Sequence, residues 1–300
     1  NAAGYFNADN MDMVDLFIGS EGTLGIVTEI EIRLVRAPVV DCGAIAFFKD
    51  DVSALDCVLA VRESDLKPAA IEFFDSNSLD LLRREKTDNP AFAELPDLPA
   101  RYHSGVYVEY HVGNEDALYD ALGRLLEATE SHGGSDDETW VADNEHELGQ
   151  MKNFRHAVPE AVNLLIDRRR ASDPSITKLG TDMSVPDDKI AETLAMYKSD
   201  MRQSGLEYVM FGHVGDNHLH VNLLPRSIED YETGKRLYRQ WARKIVEMQG
   251  SVSAEHGIGK LKTDFLLEMY GETGVEEMRR LKKAFDPQCL LNRGNLFVQS

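Results

Sequence analysis

Cysteine is scarce: three in 300 residues, Cys42, Cys57 and Cys289, far apart and with no CxxC pair. That excludes a disulfide framework, a zinc knuckle and a cysteine-ligated cluster, and it points to a reducing, cytoplasmic setting. Positive charge is also short. Lys and Arg number 32 against 52 Asp and Glu, a formal charge of −20. A nucleic-acid binder carries a basic footprint, so that class is excluded. The balance fits a soluble protein acting on small molecules. No apolar run approaches the ~20 residues that cross a bilayer, so no transmembrane segment is expected. The chain opens Asn1-Ala2-Ala3-Gly4-Tyr5, without methionine, signal peptide or transit peptide. It reads like the middle of a protein.

What is there is enough to fold. The hydrophobic fraction of 43% supplies a packed core, and the length suits two domains. Three glycines in Gly19-Ser20-Glu21-Gly22-Thr23-Leu24-Gly25 predict a turn with unusual backbone angles or a close approach to something bound. Behind them, Ile26, Thr28, Ile30, Ile32 and Leu34 alternate with Glu29, Glu31 and Arg33, the period of a half-buried strand over Ile26 to Val35. Ala37-Pro38 is the first candidate boundary.

From Asp41 strands and helices alternate. Strands are expected at 42–48, 69–74 and 105–112, and helices over Asp51 to Glu63, Asn77 to Glu85 and Asn114 to Glu130. A helix over Asp143 to Val158 is expected to break near Pro159 and to resume to Arg170. Further strands are expected at Ile176 to Val185, 206–214 and 218–224, the last two joined by a Gly215-Asp216-Asn217 turn. Helices follow at Tyr231 to Gln249, Leu261 to Tyr270 and Gly274 to Phe285. The class is α+β, an antiparallel sheet with helices packed on one side.

Three histidines fall within eight residues, His213, His218 and His220. Two apart on a strand, His218 and His220 share a face, and the hairpin brings His213 near both. This is either a histidine-rich surface hairpin or a set of convergent imidazoles of the kind that hold zinc and similar ions. Glu255-His256, between Ser253 and Gly257, adds a carboxylate and a base that titrates near neutrality. Two histidines and a glutamate with an open position make a Lewis-acid arrangement. Arg155 and Lys178 are candidate anion handles.

Four stretches in order, 19–34, 211–224, 253–259 and 285–297, resemble the FAD-linked oxidases of the vanillyl-alcohol oxidase type. Within them they are most similar to the D-2-hydroxyacid dehydrogenases, including D-lactate dehydrogenase, D-2-hydroxyglutarate dehydrogenase and the glycolate oxidase FAD subunit. The resemblance implies two parts. Residues 1–37 correspond to the C-terminal remnant of the FAD-binding domain, and residues 38–300 to the substrate, or cap, domain. The glycine-rich pyrophosphate loop of the family is not in this sequence, so the chain is expected to be the substrate-binding portion, inactive alone.

The resemblance also implies roles. His213, His220 and Glu255 correspond to metal ligands, and His256 to the active-site base. Here Asn217-His218 replaces the usual Gly-Asn, leaving His218 as a substitute ligand or a bystander. Arg155, Lys178 and Asn222 correspond to substrate contacts. Gly19, Gly22, Gly25, Ile26 and Asn292 correspond to cofactor contacts, although Asn292-Arg293-Gly294-Asn295 departs from the usual Asn-Pro-Gly-Lys. The implied cofactors are FAD and a divalent metal, zinc first, manganese or iron next. The implied reaction is oxidation of a D-2-hydroxy acid of the lactate, glycolate or 2-hydroxyglutarate class to the 2-oxo acid. The implied partners are that acid, an electron acceptor of unassigned identity and, in a homodimer, a second copy. Two other readings stay open at this point: a metal-dependent hydrolase on the same His-His-Glu set, and a catalytically empty cap acting as a binding module.

Overall fold

In the computed structural model, which describes residues 2–142 and 144–298, the elements follow one another as α1 (Met13–Phe17), β1 (Val40–Phe48), α2 (Asp51–Glu63), β2 (Ala70–Phe74), α3 (Ser76–Asp88), β3 (Ser104–Val112), α4 (Glu115–Ser131), β4 (Trp140–Ala142), α5 (Glu145–Ser172), β5 (Leu179–Gly180), α6 (Ile190–Ser204), β6 (Tyr208–Gly212), β7 (His220–Leu223), α7 (Ile228–Glu247) and α8 (Thr263–Phe285). They gather into two compact units. A sheet unit takes in Arg36–Thr181 and Ile190–Lys235, and a terminal unit takes in the described residues of Asn1–Val35, Asp182–Lys189 and Arg236–Ser300.

The sheet unit holds one seven-stranded antiparallel sheet in the order β4-β1-β3-β2-β6-β7-β5. An antiparallel sheet with packed helices is what the pattern predicts, but the helices cover both faces, not one. Ile45, Phe47, Phe74 and Tyr107 pack with Leu79 and Leu82 of α3 and Phe154 and Val158 of α5. The alternate residues Ala44, Ala46, Phe48, Val106 and Val108 are equally buried, on the side that α2 and α4 cover. Continuous burial along β1 and β3 is the cause, since a strand covered on both faces leaves no polar side. Each large side chain so buried contributes ~1.5–3 kcal/mol.

The helix starts are chemically marked. Asp50, Asp75, Asn114 and Asn144 each accept a backbone N–H in the first turn of α2, α3, α4 and α5. The expected break at Pro159 does not occur, and α5 runs through it. Pro159 has no N–H for the carbonyl of Arg155, four residues back. Burial of Phe154, Ala157, Val158, Ala161 and Val162 holds the helix together across that gap. Asp143, the expected first residue of this helix, lies outside the described residues.

Residues 26–35 form no strand, and Ile26, Ile30, Ile32 and Leu34 are exposed. Alternation defines a face, but a strand also needs a neighbour's N–H and C=O groups. No strand among the described residues supplies them. The strand expected over Ile176 to Val185 is reduced to β5, plus an isolated bridge between Ser184 and Ser251 in the terminal unit. That unit packs around the fully buried Trp241, with Phe265, Leu266, Val275 and Met278 of α8 also buried. Gly271, at φ 65° and ψ 176°, divides α8 where two helices are expected. No helix of the described residues is long and apolar enough to cross a membrane.

Candidate active site

In the sheet unit the histidines converge because of a tight turn between β6 and β7, whose register pairs Phe211 with His220. The carbonyl of His213 accepts the N–H of Asp216 at 2.9 Å and of His218 at 3.1 Å. Asn217 closes the turn in the left-handed region at φ 53°, and Arg62 donates to its Oδ1 at 2.6 Å. The ring centroid of His213 lies 5.6 Å from those of both His218 and His220, which are 4.2 Å apart. One ring nitrogen from each lies within 4.8 Å of the others. Gly212 makes this approach feasible. Its φ is +133°, and a Cβ there would meet His220 Cδ2 at 2.7 Å.

Two of the imidazoles are oriented from behind. Nδ1 of His213 is 2.9 Å from Glu72 Oε1, and Nδ1 of His220 is 2.8 Å from the Thr181 carbonyl. Both partners only accept, so each Nδ1 carries the proton and the ring lone pair sits on Nε2. Metal-ligating histidines show this backing by a carboxylate or carbonyl. The donor set therefore fits a divalent transition metal. Glu72, 4% exposed on β2, also accepts from Arg155 Nη2 at 2.5 Å. Sequence reasoning passed over Glu72. Its signal was an acid in the apolar strand AIEFF, where an unpaired charge is not tolerated.

The anion handles separate. Arg155 stands on the Glu72–His213 line, its guanidinium also 5.9 Å from the Tyr107 ring centroid. Lys178 is exposed and donates to Asn163 Oδ1 at 3.1 Å. Asn222 is buried on β7 opposite Gly180, where a Cβ would meet its Oδ1 at 2.8 Å.

In the terminal unit, Glu255 and His256 are exposed neighbours, with Glu255 Oε1 3.1 Å from His256 Nε2. Their backbone is pinned by Asp182, a second residue that the pattern did not reveal. Asp182 is 3% exposed and accepts the N–H groups of Ala254, Glu255 and His256 at 3.2, 3.1 and 3.1 Å. It also accepts from Ser253 Oγ and Lys262 Nζ, both at 2.6 Å.

The glycine turn belongs to the same unit. Gly19 and Gly22 have positive φ, as does Glu21 between them. The Glu21 carboxylate takes the N–H of Ile258 at 2.6 Å and of Gly259 at 2.9 Å. Asn292 Nδ2 donates to the Glu21 carbonyl at 2.5 Å and Asn295 Nδ2 to its carboxylate at 3.0 Å. Gly22 and Asn292 are thus brought together. Gly25 packs on Phe17 instead, and Ile26 stands exposed.

The sheet unit thus bears the oriented histidines, and the terminal unit presents a Glu-His pair on a loop. Residues 38–296 match the FAD linked oxidases, C-terminal domain, and the chain belongs to that family. It is 29% identical over 297 residues to a probable mitochondrial D-lactate dehydrogenase of Danio rerio, covering 98% of this chain and 54% of the relative. It is 28% identical over 308 residues to the D-2-hydroxyglutarate dehydrogenase of Stutzerimonas stutzeri, covering 97% and 60%. The chain thus spans little more than half the length of these relatives. In fold it is similar to a 4-ethylphenol oxidase from Gulosibacter chungangensis, with a TM-score of 0.63 at 14% identity over 98% of this chain and 60% of the other.

Proposed function

We propose that this chain is the substrate-binding portion of an FAD-dependent dehydrogenase that oxidises a D-2-hydroxy acid of the lactate, glycolate or 2-hydroxyglutarate class. The observation that carries the reading is the line Arg155–Glu72–His213, which joins an anion handle to an oriented imidazole. The relatives' names supply the substrate class.

His213 and His220 are the proposed imidazole ligands of a divalent metal, zinc first, with Glu255 the proposed carboxylate ligand. Held there, such an ion would supply Lewis acidity toward the substrate hydroxyl. Gly19, Gly22, Gly25, Ile26 and Asn292 are the proposed contacts of FAD, which when bound would supply the acceptor for a hydride, the carbinol hydrogen together with the two electrons of the oxidation. The rest falls to the chain's own side chains. Arg155, fixed on one edge by Glu72, offers its remaining donors to the substrate carboxylate and so sets its pose. Asn222 and Lys178 are the further proposed contacts. His256 accepts the hydroxyl proton at a ring nitrogen. Beyond the acid, the proposed partners are an electron acceptor and, in a homodimer, a second copy. A cytoplasmic setting rests on the cysteine usage alone, and the Danio rerio relative is named as mitochondrial.

The test is anaerobic bleaching. The polypeptide that carries this chain together with a flavin-binding portion should lose its flavin absorbance on mixing with D-lactate, glycolate or D-2-hydroxyglutarate. It should keep that absorbance with L-lactate. Flavin that stays oxidised with every one of these acids overturns the reading.

A further inference from the structure

We infer that Glu21 is a positioning residue, which ties order in the Glu255–His256 loop to the loading of the glycine turn with flavin. The inference rests on the flavin reading above and deepens it with a regulatory contact. Within the terminal unit, two carboxylates hold the loop, one on each side of Gly257. Asp182 accepts the N–H groups of Ala254, Glu255 and His256. Glu21 accepts those of Ile258 at 2.6 Å and Gly259 at 2.9 Å, one on each carboxylate oxygen.

The two anchors differ in kind. Asp182 is buried and lies 2.6 Å from the Lys262 ammonium, so it holds wherever the unit is folded. Glu21 is only half-buried and rides on the turn at 19–25. Its φ is 53°, with Gly19 at 77° and Gly22 at 65°. A glutamate stays in that region only where contacts hold it there. The contacts are the two loop N–H groups and the side chains of Asn292 and Asn295, which donate to the Glu21 carbonyl and carboxylate. Gly257 completes the seat. Its φ is 75°, and a Cβ there would meet Glu21 Oε1 at 2.8 Å.

The turn is also where a flavin is proposed to touch. Gly22 is exposed, and a Cβ there would first meet Asn292 Nδ2 at 3.9 Å, so its backbone stands open to a bound group. When flavin contacts the turn, the conformation in which Glu21 reaches the loop is favoured. By linkage, the segment that Glu21 holds then becomes firmer. His256 lies two residues before Ile258, so both flanks of its loop are fixed, as proton transfer over a set distance requires. Without flavin, Asp182 holds the loop from one side. The base is thus presented in full order only where the hydride acceptor is in place.

Hydrogen–deuterium exchange at residue resolution tests this on the polypeptide that carries this chain together with a flavin-binding portion, stripped of FAD and then reloaded. Wild type and Glu21→Gln are compared, with the amides of α5 in the sheet unit as the check of folding. In wild type, FAD should slow exchange at Ile258 and Gly259 by about tenfold or more, the scale of coupling between sites. In Glu21→Gln these amides should exchange faster than in wild type, and FAD, bound at the wild-type stoichiometry, should slow them by less than about threefold. Wild-type exchange at Ile258 and Gly259 that ignores FAD overturns the inference without any variant. So does a slowing that persists unchanged in Glu21→Gln. A Glu21→Gln protein that no longer takes up FAD makes Glu21 a cofactor contact and overturns the positioning role. Substrate takes no part in the measurement, so flavin that stays oxidised with every acid overturns the function above and leaves this result intact. A wild-type polypeptide that takes up no FAD overturns both.

Discussion

The carboxylate of Asp182 lies 2.6 Å from the ammonium of Lys262 while holding three consecutive backbone N–H groups, those of Ala254, Glu255 and His256. A buried charge so heavily hydrogen-bonded fixes a loop more firmly than turn propensity does. Glu255 and His256 are therefore presented by an anchor more than seventy residues away in the chain.

Asp182→Ala should cost about 3–5 kcal/mol, because it strands the largely buried Lys262 and the N–H groups of Glu255 and His256, while Ala254 N–H keeps the backbone carbonyl of residue 182. Urea unfolding measures it. Asp182→Asn keeps the shape and loses the charge. In that variant the amides of residues 254–256 should exchange with deuterium faster, while those of α5 in the sheet unit keep their wild-type rates. Unchanged exchange at 254–256 would mean that the loop is held by something else.

Glu72→Gln should weaken Zn²⁺ binding by roughly 10–100-fold, the scale seen when the group behind a ligating histidine is altered. A neutral amide no longer dictates the His213 tautomer, and it releases Arg155. A competition titration against a chromogenic chelator reads the change. Wild-type affinity in the variant would remove Glu72 from the orienting role.

Gly212→Ala tests the turn geometry. The new methyl would sit 2.7 Å from His220 Cδ2, at a φ of +133° that L-residues avoid. Destabilisation of about 1–3 kcal/mol is expected, with weaker Zn²⁺ binding alongside it as the His220 ring is pushed aside. Gly205→Ala serves as the control. It also has a positive φ, but its Cβ would meet nothing within 4 Å, so stability should fall with metal binding intact.

Asp75 makes stability depend on pH. Burial raises its pKa from 3.8 to about 7, helped by the nearby charge of Asp51, against the hydrogen bonds it accepts from Met210 and Ser78. Between pH 4 and pH 7 the unfolded chain has lost this proton and the folded chain keeps it. The contribution of Asp75 therefore falls as pH rises through that window and is flat above it. Relative to Asp75→Asn, wild type should lose on the order of 1–4 kcal/mol between pH 4 and pH 8. Parallel urea midpoints for the two proteins across that range would contradict the assignment.

Much of this protein is written locally. Short apolar runs mark β1 and β3, Asp and Asn mark the starts of α2 through α5, and three histidines around a Gly-Asp-Asn turn announce their own convergence, because these signals act over a few residues. Strand order, the covering of both sheet faces, and the failure of residues 26–35 to pair depend on which distant segments become neighbours. So do the two buried acids. Glu72 meets His213 across 141 positions, and Asp182 meets the loop at 254–256 only once the chain has folded back. A charge enters the interior where a partner waits for it, and no periodicity along the chain encodes where that partner will be.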